Sequence, residues 1–291
     1  MFIINKIFLN GITVAVLFIL ILLTGGWDGH IEKQSRVDRW ERLNNYFVFD
    51  MIEYKGDLVF CSKQGIFSLT EKLHSQPAQC LATDGNIIVA GTNYGVLVFD
   101  STWKKVELFQ NGLRAQVRVI KNYNKLFFLG HTEGSYGVST WHPEKGILYQ
   151  HDFHAYIRSI EVHDTSVYAG DQDGIIWISE NSGKSFDSTI YLDNQHLAVR
   201  SIKWINDDML IGAGWIFRNF EKTKHYITPM DFNMNFVLSG DQGVFIYDDK
   251  MNNLIPFNEG LDDLRVSRLL LYDGNLYVGT VTGLFKRPFK Q

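Results

Sequence analysis

Four arginines recur at nearly the same place in a repeated phrase. Arg118 stands in Val117-Arg-Val-Ile120, Arg158 in Ile157-Arg-Ser-Ile160 and Arg200 in Val199-Arg-Ser-Ile202, while Arg268, in Val266-Ser-Arg-Leu269, is displaced by one residue. A guanidinium stays charged and offers a planar fork of donors, so a level set of them either braces its own scaffold or waits for an anion. Bracing would use loop carbonyls or an adjacent carboxylate such as Asp171 or Glu133. Binding would make Arg118, Arg158, Arg200 and Arg268 the contacts for an acidic partner surface.

Other groups carry less. The nearest metal-like spacing is His151-Asp-Phe-His154, with His131, His142 and His163 in neighbouring segments. Without Cys partners or a second close pair these read as surface or hydrogen-bonded histidines. Asp171-Gln-Asp173-Gly174 resembles part of a calcium loop, but Asp and Gly are also what a tight turn requires. Nucleophile elbows, phosphate-cradling loops and HExxH are missing from the sequence, so no catalytic residue, metal or cofactor is expected. Cys61 and Cys80 are the only cysteines. Two buried small thiols are the favoured reading, because a bridge needs Cα atoms less than about 7 Å apart; a disulfide stays open if the body lies outside the cytoplasm.

The elements that position these residues show in the repeats. Asp84-Gly-Asn-Ile-Ile-Val-Ala-Gly-Thr-Asn-Tyr-Gly-Val-Leu-Val-Phe99 returns as Asp273-Gly-Asn-Leu-Tyr-Val-Gly-Thr-Val-Thr-Gly-Leu-Phe285, and five looser copies bring the total to seven. Their first small residues, Cys61, Gly91, Gly130, Gly170, Gly212, Ser239 and Gly279, have a mean spacing of about 36 residues, close to the length of a four-stranded propeller blade. Each copy reads as a turn, an apolar strand, a Gly-containing hairpin and a second apolar strand. The arginine phrase precedes the turn as the innermost strand of its blade. Ragged outermost strands follow at Lys105 to Phe109, Gly146 to Gln150, Thr189 to Leu192, Lys224 to Thr228 and Asn253 to Phe257, with a stub at Lys72 to His74. The last copy has no fourth strand, yet Arg39-Trp-Glu-Arg-Leu-Asn44 stands unpaired before the first, so the ring can close on it and remove its exposed edges. The expected fold is all-β, a seven-bladed β-propeller over residues 39–291, preceded by one N-terminal hydrophobic helix and a linker at 27–38.

That helix is a separate device. Lys6 precedes an apolar stretch from Ile7 to Leu23, and Asp28 and Glu32 follow it. Seventeen residues at a rise of about 1.5 Å span about 26 Å, slightly short of a bilayer core, so residues 1–26 are a signal anchor or a cleaved signal peptide. The charge bias puts the start in the cytoplasm and the body outside, periplasmic or extracellular, or secreted if the signal is cleaved. Thr24-Gly25-Gly26 is a poor cleavage site and no cysteine follows to take a lipid, which favours a retained anchor.

The composition agrees with a folded, strand-rich body. Aromatic residues make up 14% of the 291 residues, with 25 Gly and only 5 Pro, which suits short strands and tight turns. A net charge of −4 offers no bulk positive field, which argues against nucleic acid as a partner.

The phrase Gly-Thr-x-x-Gly-Val/Leu, followed by Asn111-Gly-Leu113 or Asn258-Glu-Gly-Leu261 and then Val-Arg-x-Ile, resembles the repeats of two-component-regulator-type propellers. Ser179-Glu-Asn-Ser-Gly-Lys-Ser-Phe186 is similar to the Asp-box of sialidase, sortilin and photosystem-assembly-factor propellers, with Asn181 for Asp and Phe186 for Trp. The resemblance covers about residues 39–288 at the level of repeats. It implies the fold and makes the box a hairpin on the face away from the ligand. A sialidase-type site would also require a Tyr–Glu pair and an acid Asp, and no early-blade arginine matches Arg118, Arg158 and Arg200. The chain therefore reads as a non-catalytic extracytoplasmic scaffold that docks a protein or membrane complex through one propeller face. A ligand-sensing domain is the alternative, and a glycoside hydrolase a weaker one.

Overall fold

The structure is a computed structural model that describes residues 39–110, 112–132, 137–192, 196–234, 236–247 and 253–289. The expected N-terminal helix and the linker lie outside these residues. Among those described, no helix is long and apolar enough to cross a membrane.

Seven four-stranded antiparallel sheets follow one another around a ring, and the innermost strand of each contacts that of the next. The innermost strands are Val48–Tyr54, Cys80–Thr83, Val117–Tyr123, Ile157–His163, Ser201–Ile205, Pro229–Asn233 and Val266–Tyr272. In blade 7 the fourth strand is Glu41–Arg42, with Glu41 opposite Lys286 and Arg42 opposite Phe285. Trp40 secures this junction: its ring is buried and its indole Nε1 donates to Phe257 O at 2.8 Å. The sheet edge that an open ring would expose is thereby paired.

The core is divided into seven apolar clusters, one between each neighbouring pair of blades. One of them joins Tyr277 and Leu284 of blade 7 to Val48, Met51, Phe60 and Phe67 of blade 1, so the ring closes by packing as well as by pairing. The small residue that marks every repeat has a packing cause. A Cβ on Gly170 would stand 2.4 Å from Val199 Cγ1, and one on Gly130 would stand 2.8 Å from Ile157 Cγ2. The second strands of blades 2, 3, 4, 5 and 7 therefore press a glycine against the start of the next blade, and Cys61 fills that place in blade 1; in blade 6 the place belongs to Leu238, and Ser239, expected there from the sequence, lies one residue further along the strand.

Two outer strands differ in position from the sequence reading. That of blade 2 runs Trp103–Val106, because the Asp100 carboxylate, salt-bridged to Lys104 at 2.6 Å, closes the turn early. Phe109–Gln110 instead forms an extra hairpin with Leu113–Arg114. In blade 5 the strand is Glu221–Tyr226, since Asn219 and Phe220 adopt φ of 49° and 71° and make a two-residue turn without the usual glycine.

Candidate functional site: the channel mouth

The second residue of the innermost strand lies where the ladder slips. The register shifts between Val48 and Asp50, Val117 and Val119, Ile157 and Ser159, Pro229 and Asp231, and Val266 and Arg268. A bulged residue leaves the ladder and is re-aimed, as bulges near sites commonly do. Phe49, Arg118, Arg158, Met230 and Ser267 occupy these bulges. Gln79 and Arg200 hold the matching position, each donating its amide to the glycine carbonyl of the second strand at 2.8 Å. One ring level at the mouth thus carries Arg118, Arg158 and Arg200 on blades 3 to 5, and Met230, Ser267 and Phe49 on blades 6, 7 and 1.

The three mouth arginines are exposed. Arg118 donates from Nε to Gln116 Oε1 at 3.3 Å and from Nη1 to Gln79 Oε1. The Arg158 guanidinium lies 5.8 Å from the centre of the Tyr156 ring. Burial, together with the Arg158 charge, lowers the pKa of Arg200 from the ordinary arginine value. Among the described residues none of the three has a carboxylate partner within salt-bridge distance. Asp171, one candidate brace, is committed to its own turn: Oδ1 accepts the amides of Asp173 and Ile175 at 2.8 and 2.9 Å, and Oδ2 accepts Trp177 Nε1 at 2.9 Å. The other, Glu133, lies outside the described residues.

Arg268, one residue deeper, is differently placed. Its Nε lies 2.8 Å from Asp50 Oδ1 and its Nη1 3.5 Å from Asp231 Oδ2. Burial raises the Asp50 pKa, while Arg268 and the amides of Leu81 and Met51 pull it back. The two carboxylates in turn raise that of Arg268. Further in, Lys121 Nζ meets Glu161 Oε2 at 2.7 Å. Arg268, Asp231, Lys121 and Glu161, with Arg158, Arg200 and Lys203, surround a cavity of about 70 Å³. It has room for a few waters and not for a sugar or nucleotide. Asp50, Asp231 and Glu161 are thus held in ion pairs with Arg268 and Lys121, and the arrangement is suited to holding an anion at the surface.

Beside Arg200 the mouth opens into a wider pocket of about 480 Å³, lined by Phe47, Phe49, Met230, Val281, Asp241 and Arg265 among others. Sequence reasoning found the arginines by their repetition and missed Asp50, Asp231 and this apolar half. The signal was available for Phe49 and Asp50, which hold in Phe49-Asp-Met-Ile52 the register that the arginines hold in theirs.

The remaining candidates have structural surroundings. Ser179–Phe186 is the hairpin between the third and fourth strands of blade 4. Ser179 Oγ accepts the Gly183 amide at 2.9 Å, Asn181 Oδ1 accepts that of Ser185 at 2.9 Å, and Phe186 packs against Phe153 of the preceding connection. His131 is buried against Ser139 Oγ at 2.7 Å, His151 Nε2 lies 3.0 Å from Gly183 O, and His163 stacks on Trp204. Among the described residues no three His, Cys, Asp or Glu side chains gather as metal ligands. Cys61 and Cys80 are buried free thiols whose pKa values burial drives upward.

The ring of seven blades and its mouth define a seven-bladed β-propeller, and solved structures agree on the fold. An extracellular domain from B. thetaiotaomicron assigned to a one-component system superposes with a TM-score of 0.69 at 16% identity, covering 87% of this chain and 40% of that one. A second such domain, assigned to a hybrid two-component system of the same organism, gives 0.65 at 17% identity, covering 85% and 41%. The WD40 propeller domain of Doa1 gives 0.66 at 12% identity, covering 86% and 95%. No family model and no curated protein matches the sequence. The chain thus spans about two fifths of the length of the B. thetaiotaomicron domains.

Proposed function

We propose that this protein is a non-catalytic scaffold, held outside the cytoplasm by its N-terminal apolar segment, that docks a protein with an acidic surface at the propeller mouth. One observation carries the reading: Arg118, Arg158 and Arg200 stand at one level of one face without carboxylate partners among the described residues. Like charges kept together without counter-charges are a standing cost, and an acidic partner surface would relieve it. Arg268, already paired with Asp50 and Asp231, contributes field from below the mouth while holding the channel together. The likeness to sensor ectodomains and to a WD40 domain supports a binding role through the shared fold. The occluded channel favours docking over turnover of a small substrate.

The test is capture of partners from detergent-solubilised membranes by the tagged full chain. In a variant carrying Arg118→Gln, Arg158→Gln and Arg200→Gln, capture is lost while the melting temperature stays within a few degrees, because exposed groups away from structural networks typically change stability by about 0.5 kcal/mol or less each. Unaltered capture by the folded variant would place docking elsewhere, and loss of folding would make the arginines structural.

A further inference from the structure

The mouth is chemically divided, and the division specifies more than an acidic surface. On blades 3 to 5 it presents three guanidinium groups, and beside blades 6 and 1 it presents Met230, Phe49 and Phe47, the two rings tilted by 39° with centroids 4.5 Å apart. Arg200 and Met230 line both the channel cavity and the 480 Å³ pocket, so the charged and apolar halves are one continuous surface. The pocket is also lined by Asp241, whose Oδ1 accepts Ser239 Oγ, and by Arg265, which is already paired with Asp263 at 2.9 Å. Asp241, which has no ion pair among the described residues, therefore disfavours an acidic group inside the pocket, whereas Arg158 and Arg200 draw one to the channel side. The pocket is of a size that takes one large side chain with its flanking backbone, within the usual range for ligand pockets.

Resting on the scaffold reading above, we infer that the mouth receives a linear peptide segment of a partner protein in which carboxylates flank a single aromatic or large aliphatic residue. The carboxylates lie against Arg158 and Arg200, and the apolar side chain enters the pocket between Phe49 and Met230. Guanidinium pairs of this kind set orientation, while the buried ring supplies the anchor that dominates such interfaces. Charge alone would leave Phe47, Phe49 and Met230 facing water at the bound surface.

The experiment uses the full chain in detergent and three capped, fluorescently labelled hexapeptides: one with glutamates flanking a phenylalanine, one with that phenylalanine replaced by alanine, and one with the glutamates replaced by glutamines. The first binds, and either replacement weakens binding by about tenfold or more, as expected when one ring is no longer taken out of water or the charge pairing is lost. Met230→Gln, and separately Phe49→Ala, bring the phenylalanine peptide down to the level of the alanine peptide while leaving the alanine peptide unchanged. Met230→Gln keeps the test valid if Phe49→Ala fails to fold. Equal affinity for the phenylalanine and alanine peptides would overturn this inference. So would the absence of any peptide binding while membrane capture still depends on the arginines, and in both cases the scaffold reading would survive. Capture indifferent to the arginines would remove both.

Discussion

At the residue scale, depth in the channel separates two kinds of arginine that the sequence presents alike. Arg268 answers two carboxylates, and Arg268→Gln leaves Asp50, which is buried, without its ion partner. The expected loss is about 2 kcal/mol, below the roughly 3–5 kcal/mol of a fully buried pair because the guanidinium keeps contact with channel water. Chemical denaturation of Arg268→Gln beside Arg158→Gln checks this: the first shifts the midpoint clearly and the second does not. His131 sets a pH dependence. Burial lowers its pKa to about 4, against an unfolded value of 6.5. Above pH 6.5 the imidazole is neutral in both states and contributes nothing. As pH falls from 6.5 toward 4 the unfolded chain takes up a proton that the native chain refuses, and stability drops by about 3 kcal/mol over that window. Melting temperatures at pH 7 and pH 5 should show the drop, and His131→Gln should reduce it.

At the element scale, the repeat is legible because packing imposes it. In six of the seven blades the small residue of the second strand is fixed by the approach of the next blade, so Gly170→Ala, with its Cβ 2.4 Å from Val199 Cγ1 and 2.6 Å from Val199 Cβ, should cost about 1–3 kcal/mol by overpacking. Thermal unfolding of that single variant is sufficient to measure it. Blade count, the closing strand near Glu41 and the shared level of Arg118, Arg158 and Arg200 were readable for the same reason: they depend on periodic residues. The outer strands were less readable, since their ends depend on local turns such as Asn219-Phe220, where two non-glycine residues take left-handed φ. Asp50 as a partner of Arg268 was not readable, because that pairing joins the first blade to the last and requires the ring to have closed; Asp231 was not, because its side chain reaches Arg268 only across the contact between blades 6 and 7. Closure makes its own prediction. Removal of residues 1–45 deletes Trp40 and the Glu41–Arg42 strand, whereas removal of residues 1–38 spares both. The longer truncation should melt well below the shorter, by at least the roughly 3–5 kcal/mol of a lost buried tryptophan, and equal melting would contradict closure by this strand.

At the scale of the whole molecule, seven interblade cores close the ring, and the ion-paired channel would leave a docking partner only the faces. The opposite face carries the turns between innermost and second strands, where Lys125 sits with φ of 64°, and Arg118, Arg158 and Arg200 stand at the other end of their blades. With the charge bias around Ile7 to Leu23, the propeller should be open to protease added to intact spheroplasts while the protein stays with membranes in high salt. A soluble chain beginning near Trp27 would show a cleaved signal instead. Docking of a protein on the mouth face can be read by photo-crosslinking in living cells. A benzoylphenylalanine is placed either at Tyr94, which is exposed on the mouth-side hairpin of blade 2, or at Lys125 on the opposite face. A discrete crosslinked partner is expected from position 94, absent from position 125 and lost when Arg118, Arg158 and Arg200 are replaced by glutamine. A partner crosslinked from position 125 alone would contradict docking on the mouth face.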